Sequence, residues 1–168
     1  MPLVRSSILG LVAALLTAAV CLGEDAETSK FYKLDFVVKE VQAGKVVNSR
    51  SYSSMTTGGS RASIRAGSKV PVAISQTATT QYQIFDVGVN IDVTNAKETP
   101  GGLSLFVNAD VASLAEDPST TPRQPIVRQN KWSSTVVVPV RKPVVIFSSD
   151  DVSSKNQYQL ELTAVPIS

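Results

Sequence analysis

The side chains of this chain that could do chemistry are few. Three pairs of neighbouring carboxylates occur, Glu24-Asp25, Glu116-Asp117 and Asp150-Asp151. Paired acids are what general acid–base catalysis or a calcium loop would use. Neighbouring residues of an extended chain diverge to opposite faces, and neither of the latter two pairs supplies the alternating oxygens of a calcium loop. Both are expected in solvated turns. Histidine is absent, which removes the commonest general base and metal ligand. The one cysteine, Cys21, lies in an apolar N-terminal run; if that run is removed, neither a thiol nucleophile nor a structural zinc site is left. Thr57-Gly58-Gly59-Ser60 superficially resembles a phosphate loop, but it lacks the Gly-Lys-Ser/Thr ending and a following helix, so a hairpin turn is the better reading. Arg61 and Arg65 share a strand face, with Lys69 nearby. They form either a small anion patch or, the favoured reading, a solvated face. Trp132 alternates with polar Asn130 and Ser134, which suits a sheet rim or an oligomer contact better than a ligand platform. No catalytic, cofactor-binding or metal-binding residue is assigned, no cofactor is expected, and the chain is read as not an enzyme.

The elements around these residues begin with an expected targeting segment. Arg5 precedes an uncharged apolar run, Ile8 to Val20, and polar residues start at Glu24. A run of about 13 residues suits a signal peptide and falls short of the roughly 20 a spanning helix needs. Cleavage after Gly23 places small residues, Cys21 and Gly23, at the two recognition positions; cleavage after Ala19, lipidation at Cys21 and an uncleaved anchor are the competing readings. Residues 1–23 are thus expected to be a signal peptide, 24–30 a flexible leader and 31–168 one domain. Sixteen basic residues face 14 acidic ones, with no basic run, so nucleic acid is not an expected partner. Insertion of a lone copy into a membrane is not expected either.

From Phe31 onward the apolar side chains recur at every second residue, the period of a half-buried strand. Tyr32, Leu34, Phe36 and Val38 share a face, and Gln42-Ala43-Gly44-Lys45 turns the chain into a serine-rich run ending near Thr57. That run alternates poorly and is expected at a sheet edge. Two short strands, Arg61–Ala66 and Lys69–Ile74, are predicted on either side of Gly67, followed by a polar loop at Gln76–Thr80. In Gln81–Thr94 the apolar parity changes from Tyr82 and Ile84 to Val87, Val89, Ile91 and Val93, so a β-bulge is predicted near Phe85. Further strands are predicted at Leu103–Val111, Ile126–Val138, Val144–Phe147 and Tyr158–Ala164, with an exposed loop at Glu116–Gln124 and a polar turn at Ser148–Asn156. No stretch after residue 23 carries a 3.6-residue apolar stripe. Eight or nine antiparallel strands predict an all-β sandwich or a partly open barrel.

The order of several motifs resembles the C-terminal domain of bacterial secretins, the outer-membrane gates of type II and III secretion and type IV pilus systems. They are Gly67-Ser68-Lys69-Val70-Pro71-Val72, then Tyr82 with Asp86-Val87-Gly88-Val89-Asn90-Ile91-Asp92-Val93, then Leu103-Ser104-Leu105 and Val107. Pro125-Ile126-Val127-Arg128, Thr135-Val136-Val137-Val138, Pro143-Val144-Val145-Ile146-Phe147 and Leu160-Glu161-Leu162-Thr163-Ala164 complete the series. The order and spacing from about Ile64 to Ala164 carry the resemblance. Arg141-Lys142-Pro143 stands where secretins usually have Asp-Gly. The repeated ring-building domains and a long apolar lip are missing from the pattern.

The resemblance implies a secretin-like structural or interaction module of the cell envelope, periplasmic or associated with the outer membrane, linked to secretion or pilus machinery. Its expected partners are other envelope proteins or further copies of itself. The alternative is a periplasmic module that binds a peptide or other ligand at an open sheet edge, with Asn48–Thr57 the expected strand.

Overall fold

The computed structural model describes residues 30–75, 81–116, 125–151 and 156–167. The expected signal peptide and leader up to residue 29, the loop at 76–80 and residues 117–124 lie outside the described residues. Among those described, eight strands follow one another: β1 (Phe31–Gln42), β2 (Lys45–Thr57), β3 (Ala62–Ser75), β4 (Gln81–Thr99), β5 (Gly102–Glu116), β6 (Pro125–Val138), β7 (Val144–Asp150) and β8 (Asn156–Ile167). They form two four-stranded sheets, ordered β2-β1-β8-β7 and β3-β4-β5-β6, with every neighbouring pair antiparallel. The chain crosses between sheets at both margins, from β2 to β3 and from β6 to β7. Of the two expected architectures, a sandwich or a partly open barrel, this is the sandwich.

The period-two pattern explains how the layers adhere. In β1 the even residues Tyr32, Leu34 and Phe36 are buried, and in β8 Leu160, Leu162 and Ala164. Cross-strand register places Leu34 opposite Ala164 and Phe36 opposite Leu162. They meet Val89, Ile91 and Val93 of β4, Leu103, Leu105 and Val107 of β5, and Val138 of β6 in a single core. Each large side chain fully removed from water contributes about 1.5–3 kcal/mol.

Three sequence expectations are corrected. Arg61–Ala66 and Lys69–Ile74 are not separate strands: β3 runs through Gly67, which pairs with Gly88. There is no bulge at Phe85, because the β3–β4 register is continuous from Ala62↔Val93 to Ala73↔Tyr82. The parity change instead leaves Tyr82 and Ile84 in solvent, 66% and 64% exposed. This part of the strand has left the sandwich, so no opposing layer dictates which face is apolar. The bulge in β4 lies between Thr94 and Lys97, beside the left-handed Asn95. Finally, Gly58-Gly59-Ser60 is a turn but not a hairpin. It carries the chain from one sheet to the other and is held by Gly59 N–H donating to the Ala96 carbonyl at 3.1 Å.

Candidate interaction surface

The second sheet is longer than the core that covers it. Its β4–β5 pairing stops at Gly88↔Ala112, whereas β3 stays paired to β4 as far as Gln81 and β5 to β6 as far as Pro125. Beyond that row the sheet therefore parts into two two-stranded arms. The first arm carries Tyr82 and Ile84 in solvent; the second carries Leu114 and Ile126, also exposed. Each arm thus carries apolar side chains on its surface with no layer of this chain's described residues opposite them.

The division falls on a glycine pair. A Cβ on Gly67 would strike the carbonyl oxygen of Val87, and one on Gly88 the carbonyl oxygen of Ala66. Gly88 also has φ 146, a conformation that residues with side chains rarely adopt. Two backbones can approach this closely only because both positions lack side chains. Around this row the outward face of the sheet is concave, enclosing about 560 Å3.

That outward face is a ladder of polar residues in cross-strand rows. Ser63, Asp92, Asn108 and Ser133 form one row; Arg65, Asn90, Asp110 and Lys131 form the next. Asp92 accepts from Ser63 Oγ at 2.7 Å, from Arg61 Nη2 at 2.9 Å and from Arg65 Nη2 at 2.7 Å. The Ser63 hydrogen bond leads in holding the Asp92 carboxyl down at about 2; burial opposes it, and the two guanidinium groups add to the lowering. Asp110 accepts twice from Gln129 Nε2, at 2.8 and 2.9 Å, with Lys131 Nζ at 3.6 Å. Lys69 pairs with Asp86 at 3.1 Å. Arg61 and Arg65, the two residues of the anion-patch reading, share the one carboxylate of Asp92, while nearby Lys69 has Asp86 to itself. The solvated-face reading holds in part, since these side chains are exposed but paired.

The margins of this sheet are β3 and β6, each of 14 residues. The β5–β6 register runs from Leu103↔Val138 to Glu116↔Pro125 without a shift. A long strand with no bulge and an open outer side presents a row of unpaired backbone groups to any other strand. The first sheet is less even: β2, an edge as expected, has 13 residues and an irregular register near Val41, while β7 has seven and a shift between Val145 and Phe147.

Where the two sheets diverge, a cleft of about 110 Å3 is lined by Val38, Glu40, Arg50, Val111 and Tyr158 among others. Glu40 accepts from Asn156 Nδ2 at 2.6 Å. Burial, then the Glu40 and Asp151 carboxylates, push the Tyr158 hydroxyl up. Asp151 is no solvated turn residue: its side chain is buried against Arg128 at 3.0 Å and ties β6 to the end of β7. Asp150 ends β7, its carboxylate accepting from Gln157 Nε2 at 3.1 Å, and Glu116 ends β5, while Asp117 lies outside the described residues. Trp132 is half-buried on the core side of β6, its ring 6.0 Å from that of Phe147, so it seals the β6–β7 margin. At the opposite end Tyr32 donates to Glu98 at 2.7 Å, and burial first, then Glu98, raises its hydroxyl to about 12.

No protein-family model matches the chain, and no curated protein matches it. Solved structures do. The secretin InvG of the Salmonella SPI-1 type III secretion injectisome superimposes with a TM-score of 0.51 at 9% identity, over 83% of this chain and 63% of that one. The type II secretion system secretin GspD of E. coli K12 superimposes with a TM-score of 0.51 at 13% identity, over 83% of this chain and 50% of that one. The chain spans about half to two-thirds of these structures. The all-β fold of this chain, two four-stranded antiparallel sheets, is thus secretin-like.

Proposed function

We propose that this chain is a non-enzymatic, exported module of the cell envelope, secretin-like, whose copies join side by side through the margins of the longer sheet and serve secretion or pilus machinery. The observation that carries the reading is the match of those margins. β3 and β6 are equal in length, and three antiparallel steps separate them, so they run in opposite directions. β6 of one copy laid beside β3 of the next therefore continues the antiparallel alternation. Such a contact is head-to-tail, and head-to-tail contacts that close give rings. Ring closure removes the open edges and brings the exposed arms of successive copies together. The likeness to InvG and GspD supports the reading at the level of fold.

Mass determination of the purified protein, with and without mild detergent, tests it. A discrete multimer is expected; a strict monomer in both conditions contradicts it. A second reading rests on the unequal margins of the first sheet. β2 is nearly twice as long as β7, so part of β2 stays open even between adjoining copies, and an extended segment of an envelope protein can add there. Protection of Asn48–Thr57 amides by a partner, without change elsewhere, distinguishes this from self-association.

A further inference from the structure

The end of the sandwich opposite the arms is built from the start of β1, the close of β8, the β4–β5 hairpin and the chain between β6 and β7. Glu98 meets Lys30 at 3.0 Å and Tyr32 at 2.7 Å, and Arg141 N–H donates to the Ala164 carbonyl at 2.8 Å, so these pieces lie together. The acids here are taken, Glu98 by Lys30 and Asp35 by Lys33. Lys97, Arg141 and Lys142 are exposed and form no ion pair among the described residues. Arg141 also holds φ 60, where glycine rests without the strain an arginine bears. The position suits glycine, yet it carries a cation.

At the same end, three large apolar side chains face water on adjoining rows of the first sheet. Phe31 stands opposite Ile167, and Lys33, the next residue on that face of β1, stands opposite Met55. The three apolar residues are 55%, 40% and 64% exposed. Unpaired cations together with exposed apolar groups suit an anionic lipid surface: the cations meet phosphate headgroups while the apolar groups enter the interface. Charge alone would equally suit an acidic polypeptide. The apolar rows favour lipid, and so does the sequence, in which the apolar run Ile8 to Val20 precedes the strand that starts at this end.

We propose that the end opposite the arms rests on an anionic lipid surface, with Lys97, Arg141 and Lys142 at headgroup level and Phe31, Met55 and Ile167 in the interface. The contact is peripheral and needs no neighbouring copy, so it stands apart from the side-by-side reading.

Cosedimentation of the purified chain with vesicles tests it, comparing phosphatidylcholine alone with equal parts of phosphatidylcholine and phosphatidylglycerol. The apolar run Ile8 to Val20 acts on both vesicles alike, so a preference for the second isolates the charge. K97Q/R141Q/K142Q should lose about 100-fold in affinity for the anionic vesicles, at about fivefold per charge. R141G, which suits the local backbone, should lose about fivefold with an undiminished urea midpoint, so unfolding does not explain the loss. F31S/M55S should weaken vesicle binding further and leave binding to polyglutamate unchanged. No preference for the anionic vesicles, or a preference that the triple variant keeps, overturns the proposal. Binding to polyglutamate but not to the vesicles overturns it in favour of an acidic protein partner.

Discussion

One strand, β4, passes through two different environments. From Val89 to Val93 its odd side chains are sealed between layers, while from Gln81 to Asp86 all but the part-covered Phe85 lie open to water. Both halves stay paired to β3, the arm half with one register shift between Ala73 and Ser75 near its end. Backbone pairing therefore makes the strand, but what lies opposite decides whether its apolar residues stabilise the fold. The sandwiched half is sealed by an opposing layer; the arm half leaves Tyr82 and Ile84 in water.

The comparison breaks most visibly at the core. Phe36→Ala, at a fully buried position, should cost about 3–5 kcal/mol, read as a lower urea midpoint. Next is the boundary itself. Gly88→Val places a side chain against the Ala66 carbonyl and should cost about 3 kcal/mol, with hydrogen exchange speeding up in 67–75 and 81–88 before the core. Asp92→Asn should cost about 1–2 kcal/mol. Because its pKa in the folded chain is lowered to about 2, the native state binds fewer protons than the unfolded one. The contribution is thus complete above about pH 4 and is lost as pH falls toward 2; the variant should lose less stability over that window. Smallest for the monomer is the arm: Y82S/I84S should change stability by about 0.5 kcal/mol or less, yet weaken self-association. A large loss of monomer stability would show that the arm is part of the core.

Much of this architecture was legible because alternation survives wherever two layers meet. Tyr32, Leu34 and Phe36 announced β1, and poor alternation marked β2 as an edge. Gly67 misled because a glycine between two apolar runs reads as a break; its true role, close approach to Gly88, depends on a partner 21 positions later. Tyr82 and Ile84 suggested a bulge because a parity change normally signals a register correction, whereas here the strand had left the core. The Arg61–Asp92 and Arg65–Asp92 pairs could not be read before the β3–β4 register was known, since they join residues 31 and 27 positions apart. For the same reason β3 and β6 gave no sign of being margins until the sheet order was in hand.

The most direct test compares hydrogen exchange in the assembled and the separated protein, strand by strand. If copies are joined by the longer sheet, amides of β3 and β6 slow on assembly while those of the already interior β1 and β8 do not change. A multimer in which β3 and β6 exchange as fast as in the single copy would contradict the account.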